Sequence, residues 1–130
     1  MIEIKDLYKK FGKNEVLKGI DLSISEGGIF SILGPNGSGK TTLIKAILGM
    51  VLPDSGEIFI NEKSLKNNFK YREKIDYLPQ IANFPGNLKV NELIAMIKDL
   101  RASEATKDEE LIELFKLQPF LNKRLVNLSG

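Results

Sequence analysis

The stretch from Gly34 to Thr41, "GPNGSGKT", constrains the fold of this chain more than any other feature. It fits the pattern G-x-x-x-x-G-K-[ST] in full. It follows the short apolar run "IFSIL" at 29–33 and precedes a segment from Gly39 to Val51 whose apolar residues recur at helical spacing. This order predicts a strand buried on both faces, a glycine loop and a helix, which is a much more specific setting than a chance match would have.

The residue types of this loop indicate phosphate binding. Glycines allow successive backbone N–H groups to point inward, and the start of the helix adds the positive end of its dipole. Lys40 would meet the β- and γ-phosphates, the Thr41 hydroxyl would bind Mg²⁺, and Thr42 would donate to a neighbouring phosphate. The predicted nucleotide-binding segment consists of Gly34, Pro35, Asn36, Gly37, Ser38, Gly39, Lys40, Thr41 and Thr42.

Composition excludes several other classes of function. The chain has no cysteine and no histidine, which rules out disulfides and cysteine or histidine catalysis within these residues and fits a reducing cytoplasm. The net charge of +2 is spread evenly, so no basic stripe indicates nucleic acid as a partner. The most apolar helical stretch, 42–52, is far shorter than the roughly 20 residues of a membrane span. We therefore do not expect these residues to enter a membrane by themselves.

The remaining patterns predict a mixture of strands and helices. Alternating residues around Ile2–Ile4 and Ile20–Ile24 predict two antiparallel strands, and 57–60 and 75–78 are further strand candidates. The helix after the glycine loop is predicted to stop at Pro53 and Gly56. Residues 86–128 have mostly helical periodicity.

The arrangement "FGKNEVLKGIDLSI", then "GPNGSGKTTLIKAILG", then "PDSGEI" resembles the N-terminal half of an ABC-type ATPase, the nucleotide-binding domain of ABC transporters. The resemblance implies an α/β P-loop NTPase fold, here incomplete. It would contain a small antiparallel β region, RecA-like core elements and a helical subdomain. It assigns residues 1–85 to the ATP-binding core and 86–130 to the helical subdomain.

The resemblance also implies roles for residues outside the glycine loop. Phe11 stands at the A-loop position that stacks on adenine, and Val16 stands where an apolar side chain packs against the nucleoside. Gln80 of "YLPQ" corresponds to the Q-loop glutamine, which contacts Mg²⁺ or the attacking water. Lys89 takes the place of a threonine often found after this loop. Leu128, Ser129 and Gly130 match the start of the LSGGQ signature, which contacts the γ-phosphate of ATP on the opposite subunit.

The function implied by this resemblance is that of an ATP-binding subunit of an ABC transporter. Such a subunit couples binding and hydrolysis of Mg-ATP to transport. It works as a homodimer or heterodimer and meets a transmembrane permease subunit through the Q-loop and the helical subdomain. That places it in the cytoplasm, peripheral on the inner face of the cell membrane, without nucleic acid as a partner. Lys40 and Gln80 are its expected catalytic residues.

The family's acidic strand-end pair and switch histidine do not occur in these 130 residues. We therefore expect this chain alone not to hydrolyse ATP. The resemblance also places interior strands of the sheet outside the chain, so we expect poor stability, aggregation, or completion by another chain. Two alternatives stay open: a catalytically inert nucleotide-binding remnant, and a soluble ABC ATPase that does not work in transport.

Overall fold

The chain divides into two units, Met1–Asp76 and Tyr77–Gly130. The computed structural model describes residues 1–80, 84–101 and 107–128. The first unit holds the sheet, the glycine loop and the helix that follows it, and the second is helical. The division into an ATP-binding core at 1–85 and a helical subdomain at 86–130 stays a prediction.

Four antiparallel strands form the sheet of the first unit. Strand β1 (Ile2–Phe11) and strand β2 (Asn14–Ile24) are a hairpin, as their alternating pattern predicted. Strand β3 (Ser55–Ile60) pairs with the other side of β1, and the short strand β4 (Lys63–Ser64) pairs with β3. The order across the sheet is β2, β1, β3, β4.

A bulge in β1 brings two core residues to the same face. Ile4 and Leu7 are both fully buried although they are an odd number of positions apart, and the strand register shifts between them. Asp6 takes up the irregularity with a φ of 48°, and its N–H donates to Oδ1 of Asp21 at 2.9 Å. The bulge therefore turns both Ile4 and Leu7 into the buried apolar core.

Helix α1 (Lys40–Ile47) supplies the other side of this core. Its first residue follows the glycine loop directly, so core packing and the position of the loop are linked. The buried apolar cluster comprises Ile4, Leu7, Leu17, Leu43, Ala46, Ile47 and Ile58.

The end of α1 differs from the prediction, which placed it near Pro53. The helix ends at Ile47, and Gly49 follows with a φ of 66°. The Gly49 N–H donates to the Ala46 carbonyl, and the Met50 N–H donates to the Lys45 carbonyl. These two bonds form a Schellman motif, in which glycine takes the left-handed position after the helix.

Two strand predictions are wrong in this structure. Residues 29–33 and 75–78 are irregular, with Ile29 99% exposed and Leu33 90% exposed. A strand buried on both faces needs hydrogen-bonded neighbours on both sides. Across residues 1–80, 84–101 and 107–128, the paired strands are β1 to β4, and none of them pairs with either segment.

The second unit contains helix α2 (Val90–Arg101) and helix α3 (Lys107–Leu114), followed by single 3₁₀ turns at Gln118–Phe120 and Leu125–Asn127. Lys89 stands just before α2, and its side chain cannot cap the helix because an ammonium group has no hydrogen-bond acceptor. The other half of the capping box remains, because the Lys89 N–H donates to Oε2 of Glu92 at 2.8 Å. A salt bridge of 2.8 Å between Lys98 and Asp108 joins the two helices.

Helix length bears on how these residues could meet a membrane. Within the described part of the chain, no helix is both long enough and apolar enough to cross one.

Candidate phosphate-binding site

The glycine loop is closed by the side chain of the lysine that follows it. Nζ of Lys40 donates to the carbonyl oxygens of Gly34 and Pro35, each at 2.7 Å. A further bond of 3.3 Å runs from the Ser38 N–H to the Pro35 carbonyl. The lysine thus fastens the beginning of the loop to the first turn of α1.

The start of α1 favours a negative ligand. Its first turn has no acidic side chain, and Gly39 at the N-cap provides no capping side chain. The first N–H groups of a helix have no partner within it, so here they suit a bound anion. An ammonium group has three protons, and Lys40 uses two acceptors in the loop. The third proton and the first-turn N–H groups provide donors for phosphate oxygens.

The loop is accessible to a ligand. Residues 34–38 and Thr41 are exposed, whereas Lys40 and Thr42 are half-buried. A β-carbon at Gly34 would lie 2.9 Å from Oγ of Ser38, which shows how tightly the loop folds on itself.

The structure brings Val16 to the phosphate loop. Cγ1 of Val16 lies 3.3 Å from where a β-carbon of Gly39 would be, and Cδ2 of Leu17 lies 3.1 Å from the same point. Strand β2 therefore supports the last glycine of the loop. Leu17 belongs to no motif that indicates a site, although its place in an alternating strand marks it as a core residue.

Phe11, the predicted base-stacking residue, is the last residue of β1 and is 51% exposed. The ammonium group of Lys9 lies 5.4 Å from the centroid of its ring, within cation–π range. Lys9 also forms a 2.8 Å salt bridge with Asp54, and this hydrogen bond is the main cause that lowers the pKa of the Asp54 carboxyl. Sequence reasoning missed this pair because "PDSG" indicates only a turn.

A magnesium ion would find a suitable protein donor in Thr41. Mg²⁺ keeps most of its ligands as water and substrate phosphate and takes few from the protein. The described ranges contain no cluster of three acidic, histidine or cysteine side chains that could hold a metal. The exposed Thr41 hydroxyl in the first turn of α1 fits the smaller contribution expected here.

Four predicted site residues belong to other parts of the chain. Gln80 is an exposed residue of the second unit, and Leu128 is half-buried there, with its N–H donating to the Leu125 carbonyl at 3.1 Å. Ser129 and Gly130 lie outside the described residues. Their roles in nucleotide chemistry stay predictions.

Comparison with protein families and curated sequences gives a consistent result. A family profile described as "ABC transporter" matches residues 17–130. The chain is 32% identical to the spermidine/putrescine import ATP-binding protein PotA of Trichodesmium erythraeum, over 99% of this chain and 35% of that protein. It is 34% identical to the methionine import ATP-binding protein MetN of Clostridium acetobutylicum, over 100% of this chain and 43% of that protein. The chain therefore spans less than half the length of these relatives.

Solved structures agree with the sequence comparison. A dimeric bacterial ABC transporter cassette matches with a TM-score of 0.81 and 30% identity, over 100% of this chain and 64% of that chain. An ATP-binding cassette in a post-hydrolysis state, bound to ADP and Pi, matches with a TM-score of 0.79 and 27% identity, over 100% and 64%. These likenesses confirm the predicted fold class of an incomplete α/β P-loop NTPase.

Proposed function

Because the chain belongs to the ABC transporter family, we propose that it is part of an ATP-binding subunit that couples binding and hydrolysis of Mg-ATP to transport by a separate membrane protein. The observation that carries the proposal is the closed loop, in which Lys40 is held by the Gly34 and Pro35 carbonyls at the start of α1. This arrangement concentrates positive charge and N–H donors where a phosphate chain would lie.

Each residue of the site has a proposed task. Lys40 and the backbone of 34–39 bind the β- and γ-phosphates, and Thr42 donates to a neighbouring phosphate. The Thr41 hydroxyl is a magnesium ligand, and the bound ion would neutralise charge on the phosphates. Phe11 stacks on adenine, while Val16 packs against the nucleoside.

The family resemblance supplies the remaining roles. Gln80 is proposed to contact Mg²⁺ or the attacking water. The Leu128–Gly130 segment is proposed to contact the γ-phosphate of ATP bound to the opposite subunit. Dimerisation is supported by the similarity to a cassette whose structure is dimeric.

The same resemblance supports a membrane protein as the partner of this subunit. The helical subdomain and the Q-loop would dock on a transmembrane permease from the cytoplasmic side. The relatives whose names describe import ATP-binding proteins favour transport over a soluble ABC ATPase. The same relatives also favour transport over a catalytically inert nucleotide-binding remnant. Co-purification with a membrane protein that stimulates ATP hydrolysis would support this part of the proposal, and an ATPase without such a partner would contradict it.

Substitution of Lys40 tests the phosphate site. We expect Lys40→Ala in the purified protein to weaken Mg-ATP binding roughly ten- to hundredfold, because charge-assisted hydrogen bonds of about 1.5–3 kcal/mol are lost. Lys45→Ala is the matched control, since Lys45 is an exposed lysine of the same helix. Equal affinity in the two variants, measured by calorimetric titration, would overturn the proposed site.

A further inference from the structure

The side chain of Lys9 is held in place by the residue just before β3. Its Nζ lies 2.8 Å from Oδ1 of Asp54, and only 16% of the side chain is exposed. Such exposure is low for a lysine on a small sheet, since the ammonium group normally reaches into water. The salt bridge therefore keeps Lys9 close to the sheet surface.

Asp54 is itself fixed by the backbone of β1. Its Oδ2 accepts a hydrogen bond from the Lys10 N–H at 2.7 Å, and its own N–H donates to the Tyr8 carbonyl at 2.9 Å. Both carboxylate oxygens are thus engaged, one by a backbone group and one by the Lys9 ammonium. Because the backbone bonds fix the carboxylate, the position of the ammonium group is also fixed.

The fixed ammonium group lies 5.4 Å from the ring centroid of Phe11. Phe11 is half-exposed at the turn end of the hairpin, where an aromatic side chain without such a contact would sample several rotamers. The cation–π contact favours one orientation, with one ring face toward Lys9 and the opposite face available for stacking.

We propose that Lys9 and Asp54 are positioning residues that hold the Phe11 ring ready to stack on a nucleotide base. This inference rests on the proposed function, in which Phe11 contacts adenine. It adds a chain of contacts from Asp54 through Lys9 to the ring, so that the segment before β3 helps to build the base site. A ring that is ordered before binding loses less side-chain entropy when the base arrives.

The test compares a ligand that has a base with one that has none. Calorimetric titration of the purified protein with Mg-ATP and with magnesium tripolyphosphate separates ring-dependent binding from phosphate binding. For Lys9→Met and Asp54→Asn we expect Mg-ATP affinity to fall roughly three- to tenfold, with tripolyphosphate affinity unchanged. Lys9→Arg should keep the affinity for Mg-ATP, because it preserves the cation.

Lys10→Met is the matched control. Lys10 forms its salt bridge with Glu15 across the hairpin at 2.7 Å, and its backbone N–H, which bonds Asp54, is kept in the variant. We expect Lys10→Met to leave the ratio of the two affinities unchanged. If Lys9→Met lowered the affinity for Mg-ATP and for magnesium tripolyphosphate equally, the effect would be general destabilisation and the inference would be overturned.

Phe11→Ala separates this inference from the function on which it rests. If Phe11→Ala lowers Mg-ATP affinity but Lys9→Met and Asp54→Asn do not, the positioning role is wrong and base stacking stands. If Phe11→Ala leaves the affinity ratio unchanged, the stacking role itself is wrong and the inference fails with it. In the Phe11→Ala background, Lys9→Met should have no further effect on that ratio.

Discussion

The backbone of Gly39 lies directly against that of Val16. A β-carbon at residue 39 would be 2.9 Å from the Val16 carbonyl oxygen, a distance that real β-carbons essentially never show. Gly39 also has a φ of 92°, which disfavours any residue with a side chain. The last glycine of the phosphate loop is therefore required both by its own conformation and by the strand behind it.

We expect Gly39→Ala to destabilise the fold and weaken nucleotide binding together, since the loop must move away from β2. Gly27→Ala is the control, because Gly27 has a comparable φ of 78° but no atom within 4 Å of its added β-carbon. Gly27→Ala should lower the free energy of unfolding by about 1–2 kcal/mol, because of its positive φ alone. Urea denaturation should show a larger loss for Gly39→Ala, and equal losses would contradict the steric argument.

The hairpin and the phosphate loop could be predicted from the sequence because their signals are local. Alternation places β1 and β2, and the motif places Gly34–Thr41 before a helix. The end of α1 has a local signal too, since Gly49 occupies the left-handed position of a Schellman motif. The prediction overlooked it because the apolar spacing continues to Val51.

The errors concern features that depend on distant residues. The apolar run at 29–33 indicates what the segment would bury, but a strand forms only where neighbours provide hydrogen bonds. The contact between Lys9 and Asp54 joins residues that are 45 positions apart, and no spacing rule connects them. The sequence therefore predicts the chemistry of the phosphate site better than the contacts that support the base site.

Thr41 and Thr42 should differ in their dependence on magnesium. Thr41→Val removes the proposed metal ligand while keeping the shape of the side chain. We expect Mg-ATP affinity to fall about tenfold, with little change when EDTA is present. Thr42→Val should weaken ATP binding under both conditions, because its hydroxyl is proposed to donate to phosphate. Thr41→Ser keeps the hydroxyl, so it should keep the wild-type difference in ATP affinity between Mg²⁺ and EDTA. If Thr41→Val had the same effect with and without the ion, the assignment would be wrong.

Stability should fall in acid. Hydrogen bonds from Lys9 and Lys10, respectively, lower the pKa of Asp54 below 3.8 and of Glu15 below 4.5. A carboxyl whose pKa is lower in the folded state stabilises the fold above its unfolded pKa, and this contribution disappears as pH falls through the folded pKa. We therefore expect the unfolding free energy to decline as pH falls below about 4.5, the unshifted pKa of Glu15.

At the alkaline end the sign is reversed. Hydrogen bonds to Glu15 and Asp108 raise the pKa of Lys10 and Lys98 above 10.5, so their contribution is present below that pH and disappears as pH rises above it. Urea denaturation at a series of pH values measures the decline in unfolding free energy at both the acid and the alkaline end. Asp54→Asn should make the acid decline shallower. High salt should flatten the decline, because the side chains of Asp54 and Glu15 are 46% and 44% exposed. An acid decline as steep in Asp54→Asn as in the wild type would refute the assignment to Asp54.

The exposed apolar run at 29–33 should make a preparation of residues 1–130 associate. Ile29 is 99% exposed and Leu33 is 90% exposed, and adjacent apolar side chains of this kind form a patch that favours contact between molecules. Ile29→Lys should therefore shift sedimentation toward the monomer. Met50→Lys is the control, because it adds the same charge at a side chain that is 62% exposed outside this run. A purely electrostatic effect of the added charge would give equal shifts in both variants, whereas association through 29–33 requires the larger shift for Ile29→Lys.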